Sequence, residues 1–176
     1  MAPTVENIRA PRTTFRKPSA EDGAQVWDLI RACKPLDENS MYCNLLQCDH
    51  FRDTCILVEL EGEIAGWVSA YVPPTDPDTV FVWQVAVHER ARGIGLGRRM
   101  LDALLARPET RGTRRLQTTI TSDNEASWAL FRSFADKRGG TLTAEPHFEE
   151  EDHFDGHHAT ENMVTIEFAA EARKAA

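Results

Sequence analysis

The sequence predicts an α/β (α+β) fold, and three observations carry that prediction. Two apolar stretches flank Glu61-Gly62 like the arms of a hairpin. An almost unbroken apolar run, Val80 to Val87, has the character of a central strand covered on both faces. That run passes through a basic, glycine-rich turn into a helical repeat of Leu96, Met100, Leu101 and Leu104. At 176 residues, with 41% hydrophobic and 27% charged side chains, the chain reads most simply as one domain with a proper core.

Taken in order, residues 1–12 are polar, carry two prolines and are expected to form a disordered tail, followed by one domain over residues 13–170. Phe15-Arg16-Lys17 reads as a short first strand. Ser19 caps a helix, with Asp22 as the capping-box acid and Val26, Leu29 and Ile30 on the buried face. Pro35 through Asn39 breaks it, and a second short helix runs from Ser40 to about Cys48 with Tyr42, Leu45 and Leu46 as apolar contacts. Strands follow at Cys55–Leu60, Ile64–Val72 and, after a proline-rich loop, Val80–Val87. Pro108 ends the helix after the glycine turn, and Arg115–Ile120 is the next strand. Asn124 to about Lys137 is a helix with Ala126, Leu130 and Phe134 along one stripe, stopped by Gly139-Gly140. Thr141–Ala144 and Met163–Phe168 are the last strands. An acidic, histidine-rich loop, His147 to Asn162, lies between them, and residues 171–176 form a C-terminal tail.

A formal net charge of −8 argues against a general nucleic-acid binder. No apolar run is long enough for a bilayer, and the start lacks the regions of a secretory signal, so a cytoplasmic location is expected. Cys33, Cys43, Cys48 and Cys55 form no Cys-x-x-Cys pair and are expected to be reduced thiols.

The basic charge is local. Gly93, Gly95 and Gly97 permit backbone conformations closed to other residues and bring bare N–H groups against an anion. The helix that begins near Gly95 aims the positive end of its dipole at the same place. Arg90, Arg92, Arg98 and Arg99 add charge around the turn. The expected ligand carries a pyrophosphate. No Gly-Lys-Ser/Thr closes the turn as in a P-loop, and Arg98 stands where a dinucleotide fingerprint needs a small residue.

Arg92, Gly95 and Gly97 match Arg/Gln-x-x-Gly-x-Gly/Ala, so the turn resembles the acetyl-CoA signature of the GCN5-related N-acetyltransferases (GNAT). The order β-α-α-β-β-β-α-β-α-β-β, over residues from about 14 to 168, is also that of the GNAT fold. The resemblance therefore implies a central mixed, mostly antiparallel twisted sheet flanked by helices. It implies acetyl-CoA as co-substrate, held by Val85, Ala86, Val87, Arg92, Gly93, Gly95, Leu96, Gly97 and Arg98. The helix opened by Asn124, with Ser127, Leu130 and Phe131, resembles the family's second motif, which places Asn124 and Ser127 against the coenzyme arm. Phe131 stands where the family often has the tyrosine that protonates the departing thiolate; a phenyl ring cannot do so.

Acetyl transfer needs a polarised thioester carbonyl, a neutral amine and exclusion of water. A backbone N–H of Val85–Val87 would serve as oxyanion donor. An alkyl ammonium has a pKa of about 10, so some group must accept its proton. Asp37, Glu161, His157 and His158 are the candidates, with Glu161 preferred and Asp37 second. Trp83 can wall the pocket or pack in the core. Gln84, a polar side chain in an apolar strand, demands a partner. His153, Asp155, His157 and His158 have metal-ligand types, yet their spacing fits no closed structural site and acetyl transfer requires no metal.

The segments Pro35–Leu46, Phe81–Val87, Thr121–Ser127 and His153–His158 with Glu161-Asn162 together resemble the branch of this family that acetylates L-2,4-diaminobutyrate in ectoine synthesis. That resemblance implies transfer to the γ-amine, giving N4-acetyl-L-2,4-diaminobutyrate, by a cytoplasmic homodimer. The implied lining set is Asp37, Asn39, Tyr42, Trp83, Gln84, His158 and Glu161. The partner of the substrate carboxylate stays open. So do two alternatives: a family member acting on another amine (a polyamine, an aminoglycoside, a protein N-terminus) and a catalytically silent CoA-binding module.

Overall fold

In a computed structural model that describes residues 12–169, seven strands form one sheet in the order β1-β2-β3-β4-β5-β7-β6. The strands are β1 (Thr13–Arg16), β2 (Ile56–Leu60), β3 (Glu63–Tyr71), β4 (Thr79–Val87), β5 (Arg115–Thr121), β6 (Thr141–Phe148) and β7 (Glu161–Glu167). All neighbours pair antiparallel except β4 and β5, which run parallel. The helices are α1 (Gly23–Ala32), α2 (Met41–Asp49), α3 (Leu96–Leu105), α4 (Glu125–Arg138) and a short α5 (Glu150–Phe154). The mixed, mostly antiparallel sheet is the one expected. Residues 1–11 and 170–176, and with them nearly all of both expected tails, lie outside the described residues. Arg12 does not behave as part of a disordered tail: its N–H donates to Glu61 and its carbonyl accepts from the Glu61 N–H.

Helices cover both faces of the sheet. On one, α3 and α4 press Met100, Leu101, Leu104, Phe131 and Phe134 against Val58, Val68, Val82, Leu116, Val164 and Ile166. On the other, Val26, Leu29, Ile30 and Cys33 of α1 and its end meet Cys48, Leu57, Trp67 and Ala86. The β2–β3 turn has positive φ at both Glu61 and Gly62, the two-residue geometry that suits the strand twist. Gly97 lets α3 approach α4 closely, since a Cβ there would stand 3.2 Å from Leu130 Cδ1.

Several expectations need correction. The first strand is Thr13–Arg16 rather than Phe15–Lys17. Ser19 and Asp22 make their mutual cap, but on a 3-10 turn, Ala20–Asp22, that precedes α1. In α2 the buried side chains are Asn44, Gln47 and Cys48, while Tyr42 is 69% exposed. Polar Asn44 and Gln47 bond one another, so they can be buried where an apolar count would not place them. The buried stripe of α4 is Phe131, Phe134 and Ala135, and Ala126 is exposed. The histidine-rich segment is no simple loop: it holds α5 and extends both flanking strands, which places Glu161 and Asn162 on β7.

Phe134 is fully buried and meets the edge of Phe168 with ring centroids 6.3 Å apart. Truncating it to alanine leaves a cavity that the two layers cannot close. Phe134→Ala should lower the unfolding free energy by about 3–5 kcal/mol in urea denaturation.

Candidate active site

The site exists because β4 and β5 part company. They pair only at Thr79–Phe81 with Arg115–Gln117, after which each strand continues without the other. Opposite this opening the pairing of β4 with β3 steps from Gln84↔Ser69 to Val82↔Ala70, so Trp83 is the extra residue of a bulge. Trp83 is consequently 46% exposed, not buried on a strand covered on both faces. His88 N–H donates to Ala65 on β3, which by strand alternation turns the N–H groups of Val85 and Val87 to the open edge. Ala86 is buried and by the same alternation turns its N–H to β3. An extended ligand with amide groups can therefore pair with β4 at Val85 and Val87.

At the end of β4 the chain enters the glycine turn. Gly93 and Gly95 have φ of +76° and +70°, a region in which a side chain is strained. Gly95 is the N-cap of α3, and the first bond within that helix runs from Arg99 N–H to the Gly95 carbonyl. The N–H groups of Leu96, Gly97 and Arg98 thus precede any intrahelical acceptor and point out of the helix start. Arg98 bonds Asp102 at 3.3 Å, and its guanidinium lies 4.0 Å from where a Gly95 Cβ would be. Arg92 donates to the Val87 carbonyl. Two of the four expected arginines are occupied elsewhere: Arg90 pairs with Glu63, and Arg99 lies 5.1 Å above the ring of Phe15. Gly97 serves helix packing as well as the cradle.

Between the diverging strands lies a cleft of about 430 Å³. Its walls include Asp37, Asn39, Trp83, Gln84, Val85, Asn124, Ser127, Phe131, His158 and Glu161. Tyr42 is not among them. One wall is the segment between α1 and α2, stapled twice: Trp27 Nε1 donates to the Asn39 carbonyl, and Gln84 Nε2 donates to the Asp37 carbonyl at 2.8 Å. Asn124 caps α4 by accepting from Ser127 N–H. Phe131 is buried at the cleft wall.

The opposite wall carries the charged cluster. His158 Nδ1 lies 2.7 Å from the Ala159 carbonyl, which only accepts, so this nitrogen bears a proton. Its Nε2 faces Asp37 at 3.3 Å and Glu161 at 3.8 Å, both acceptors, which calls for a second proton. The Ala159 carbonyl and then Asp37 and Glu161 hold the imidazole above its ordinary value, against the opposing effect of burial. Burial pushes the Glu161 carboxyl up, with the charge of His158 pulling the other way. Asp37, His158 and Glu161 offer ligand atoms within 4.8 Å of one another. His153 does not join them; its Nδ1 accepts from Glu149 N–H. His153, Asp155, His157 and His158, which have metal-ligand types, do not converge among the described residues.

A model of the Acetyltransferase (GNAT) family matches residues 23–135. The chain belongs to the GNAT acetyltransferase family. Among GNAT relatives, it is 50% identical to the L-2,4-diaminobutyric acid acetyltransferase of Methylotuvimicrobium alcaliphilum, over 89% of this chain and 91% of that one. It is 46% identical to the protein of the same name from Halomonas elongata, over 94% and 86%. Among solved GNAT structures, the diaminobutyrate acetyltransferase EctA from Paenibacillus lautus, in complex with L-2,4-diaminobutyric acid and coenzyme A, superposes with a TM-score of 0.85. It shares 38% identity over 90% of this chain and 96% of that one.

Residues of the cleft wall not among the expected site residues include Pro35, Leu36, Thr118, Thr119 and Asp123, together with Trp27 behind it. Pro35 and Leu36 sit in a segment read as a helix breaker and as part of the resemblance, but not themselves as lining. The threonines were visible as a run of hydroxyls on a strand, a pattern equally at home in solvent.

The His158 cluster has a definite pH signature. A folded-state value above the ordinary one means that its interactions stabilise the fold fully below pH about 6.5 and are lost as pH rises through the folded value. Asp37→Asn should move the His158 titration, followed by ¹H–¹⁵N NMR of the imidazole, to lower pH. An unmoved titration would remove the ion pair from the site.

Proposed function

We propose that this chain transfers the acetyl group of acetyl-CoA to the γ-amine of L-2,4-diaminobutyrate, giving N4-acetyl-L-2,4-diaminobutyrate and CoA. The observation that carries the reading is the juxtaposition of the Asp37–His158–Glu161 cluster with the edge of β4 in one cleft. Carboxylates there suit a cationic amine, and the strand edge and glycine turn suit the thioester that it must meet. The similarity to EctA of Paenibacillus lautus supports the same substrate pair. The domain is assigned to residues 13–170.

The roles follow from the geometry. Acetyl-CoA supplies an activated thioester. The amides at the start of α3, with Arg92 and Arg98, fit its diphosphate. Val85 and Val87 pair with its amide arm, and an N–H there faces the position of the developing oxyanion. Asn124 and Ser127 line the same side of the cleft. Glu161, raised by burial, accepts the proton of the γ-ammonium directly or through water and becomes neutral, while His158 stays paired with Asp37. The neutral γ-nitrogen then forms the C–N bond as the C–S bond breaks and sulfur takes the electron pair, and the nitrogen's second proton passes to the departing thiolate or to solvent. A thiol has a pKa of about 8.5, so the thiolate departs without a protein donor, consistent with Phe131 in the wall. Asn39, Trp83 and Gln84 confine the substrate, the indole face attracting its cationic end. The chemistry requires no metal.

The reaction is assigned to ectoine synthesis in the cytoplasm; among the described residues no helix is long and apolar enough to cross a membrane. The enzyme is proposed to be a homodimer. Met41, Tyr42 and Phe51, exposed on and just after α2, offer apolar surface for a second copy, which would give Tyr42 its contact.

Incubation with acetyl-CoA and L-2,4-diaminobutyrate should yield a single product, acetylated at N4 by NMR; acetylation at the α-nitrogen or none would refute the assignment. Gly95→Glu places a carboxylate at a position with φ of +70° and should abolish acetyl-CoA uptake in calorimetry while the fold persists. Glu161→Ala should lower kcat by about a hundredfold or more with acetyl-CoA affinity retained. Sedimentation should give twice the chain mass, and a monomer would exclude the dimer.

A further inference from the structure

The cleft distinguishes sharply between the two kinds of charge that a diamino acid carries. Among the described residues its walls hold three carboxylates, Asp37, Asp123 and Glu161, and neither lysine nor arginine. The one cationic side chain, His158, faces Asp37 and Glu161 and is neutralised by them. The unpartnered groups are of one type as well. Gln84 is 92% buried by the complement of its 8% exposure, its amide nitrogen is spent on the Asp37 carbonyl, and its Oε1 has no hydrogen-bond partner. Glu161 Oε2 is buried without a hydrogen-bond partner of its own, with the Thr119 hydroxyl beside the carboxyl. Both are acceptors and can be satisfied only by donors. An ammonium, with three N–H donors and no acceptor, is the complement; a carboxylate is the opposite.

We infer that the site recognises its substrate as a pair of ammonium groups three carbons apart, and that the enzyme therefore also acetylates the carboxylate-free diamine 1,3-diaminopropane. This rests on the reading of the cleft as the diaminobutyrate site. One ammonium meets Glu161 and reacts; the other meets Asp37 and Gln84 Oε1. The carboxylate of the amino acid is left to neutral donors and solvent. In the diamine reaction one nitrogen loses a proton to Glu161 and on to solvent and forms a C–N bond with the acetyl carbon; the C–S bond breaks, sulfur takes the electron pair and the nitrogen's second proton, and CoA leaves with N-acetyl-1,3-diaminopropane as product.

The test compares L-2,4-diaminobutyrate, 1,3-diaminopropane and 4-aminobutyrate, the last keeping the reacting amine and a carboxylate but lacking the second ammonium. Thiol release gives kcat/KM, and calorimetry gives binding of each compound without acetyl-CoA. A group left without a charged partner contributes little, so 1,3-diaminopropane should bind and react within about thirtyfold of the amino acid. Loss of the second ammonium strands buried acceptors, so 4-aminobutyrate should fall by more than about a hundredfold. A loss beyond thirtyfold for the diamine, or 4-aminobutyrate outperforming it, overturns the inference and demands a cation in the assembled enzyme that this cleft lacks. Failure of L-2,4-diaminobutyrate itself, whatever the diamine does, would instead refute the proposed function.

Discussion

Everything at the site follows from the short pairing between β4 and β5. Three residue pairs hold these parallel strands together, and beyond Phe81 and Gln117 their edges separate. A sheet edge inside a protein is normally a liability, because its N–H and C=O groups want partners. Here the open edge at Val85 and Val87 is the proposed binding surface. The bulge at Trp83 serves the same end by turning an indole to the opening while the next residue, Gln84, is buried and pins the far wall. One irregularity in one strand thus sets the backbone edge and two side chains of the cleft.

Charge is arranged on the same principle of local exception. The chain as a whole is acidic, yet the start of α3 presents backbone donors whose attraction for an anion depends on the helix, not on net charge. Asp102 links the two helices behind this turn: it accepts from Arg98 on α3 and, through Oδ1, from both Nε and Nη2 of Arg138 on α4. This network ties α3 to the C-terminal end of α4. Across the cleft, burial and paired carboxylates shift Glu161 and His158 in the direction that suits proton transfer near neutrality.

Much of this was legible in the chain itself. The order of elements, the Glu61-Gly62 turn, the glycine cradle and the helix starts at Ser40 and Asn124 rest on local chemistry that a sequence displays directly. Asp37, Asn39, Gln84, His158 and Glu161 were also named as one lining set and do converge, though their residue types alone could not say how. What the sequence hid was tertiary. Tyr42 reads as a core aromatic because nothing local tells which side of α2 meets the sheet. Asn44 and Gln47 are buried as each other's partners, which a count of apolar residues on α2 does not reveal. Arg90 and Arg99 read as cradle residues because Glu63 and Phe15, which claim them, are far away in the sequence.

The bulge at Trp83 has an evolutionary corollary. Because Trp83 is the extra residue where β4 pairs with β3, dropping it would bring Gln84 next to Val82 with Ser69 and Ala70 still opposite them. Val82 faces the layer of α3 and α4 and Ala86 the layer of α1, an alternation that such a deletion would leave in step. Deletion of a single codon between Gln84 and Val87 would instead exchange inside for outside at the open edge. Descendants of this lineage can therefore replace or lose Trp83 without refolding β4, but cannot shorten the stretch that follows it.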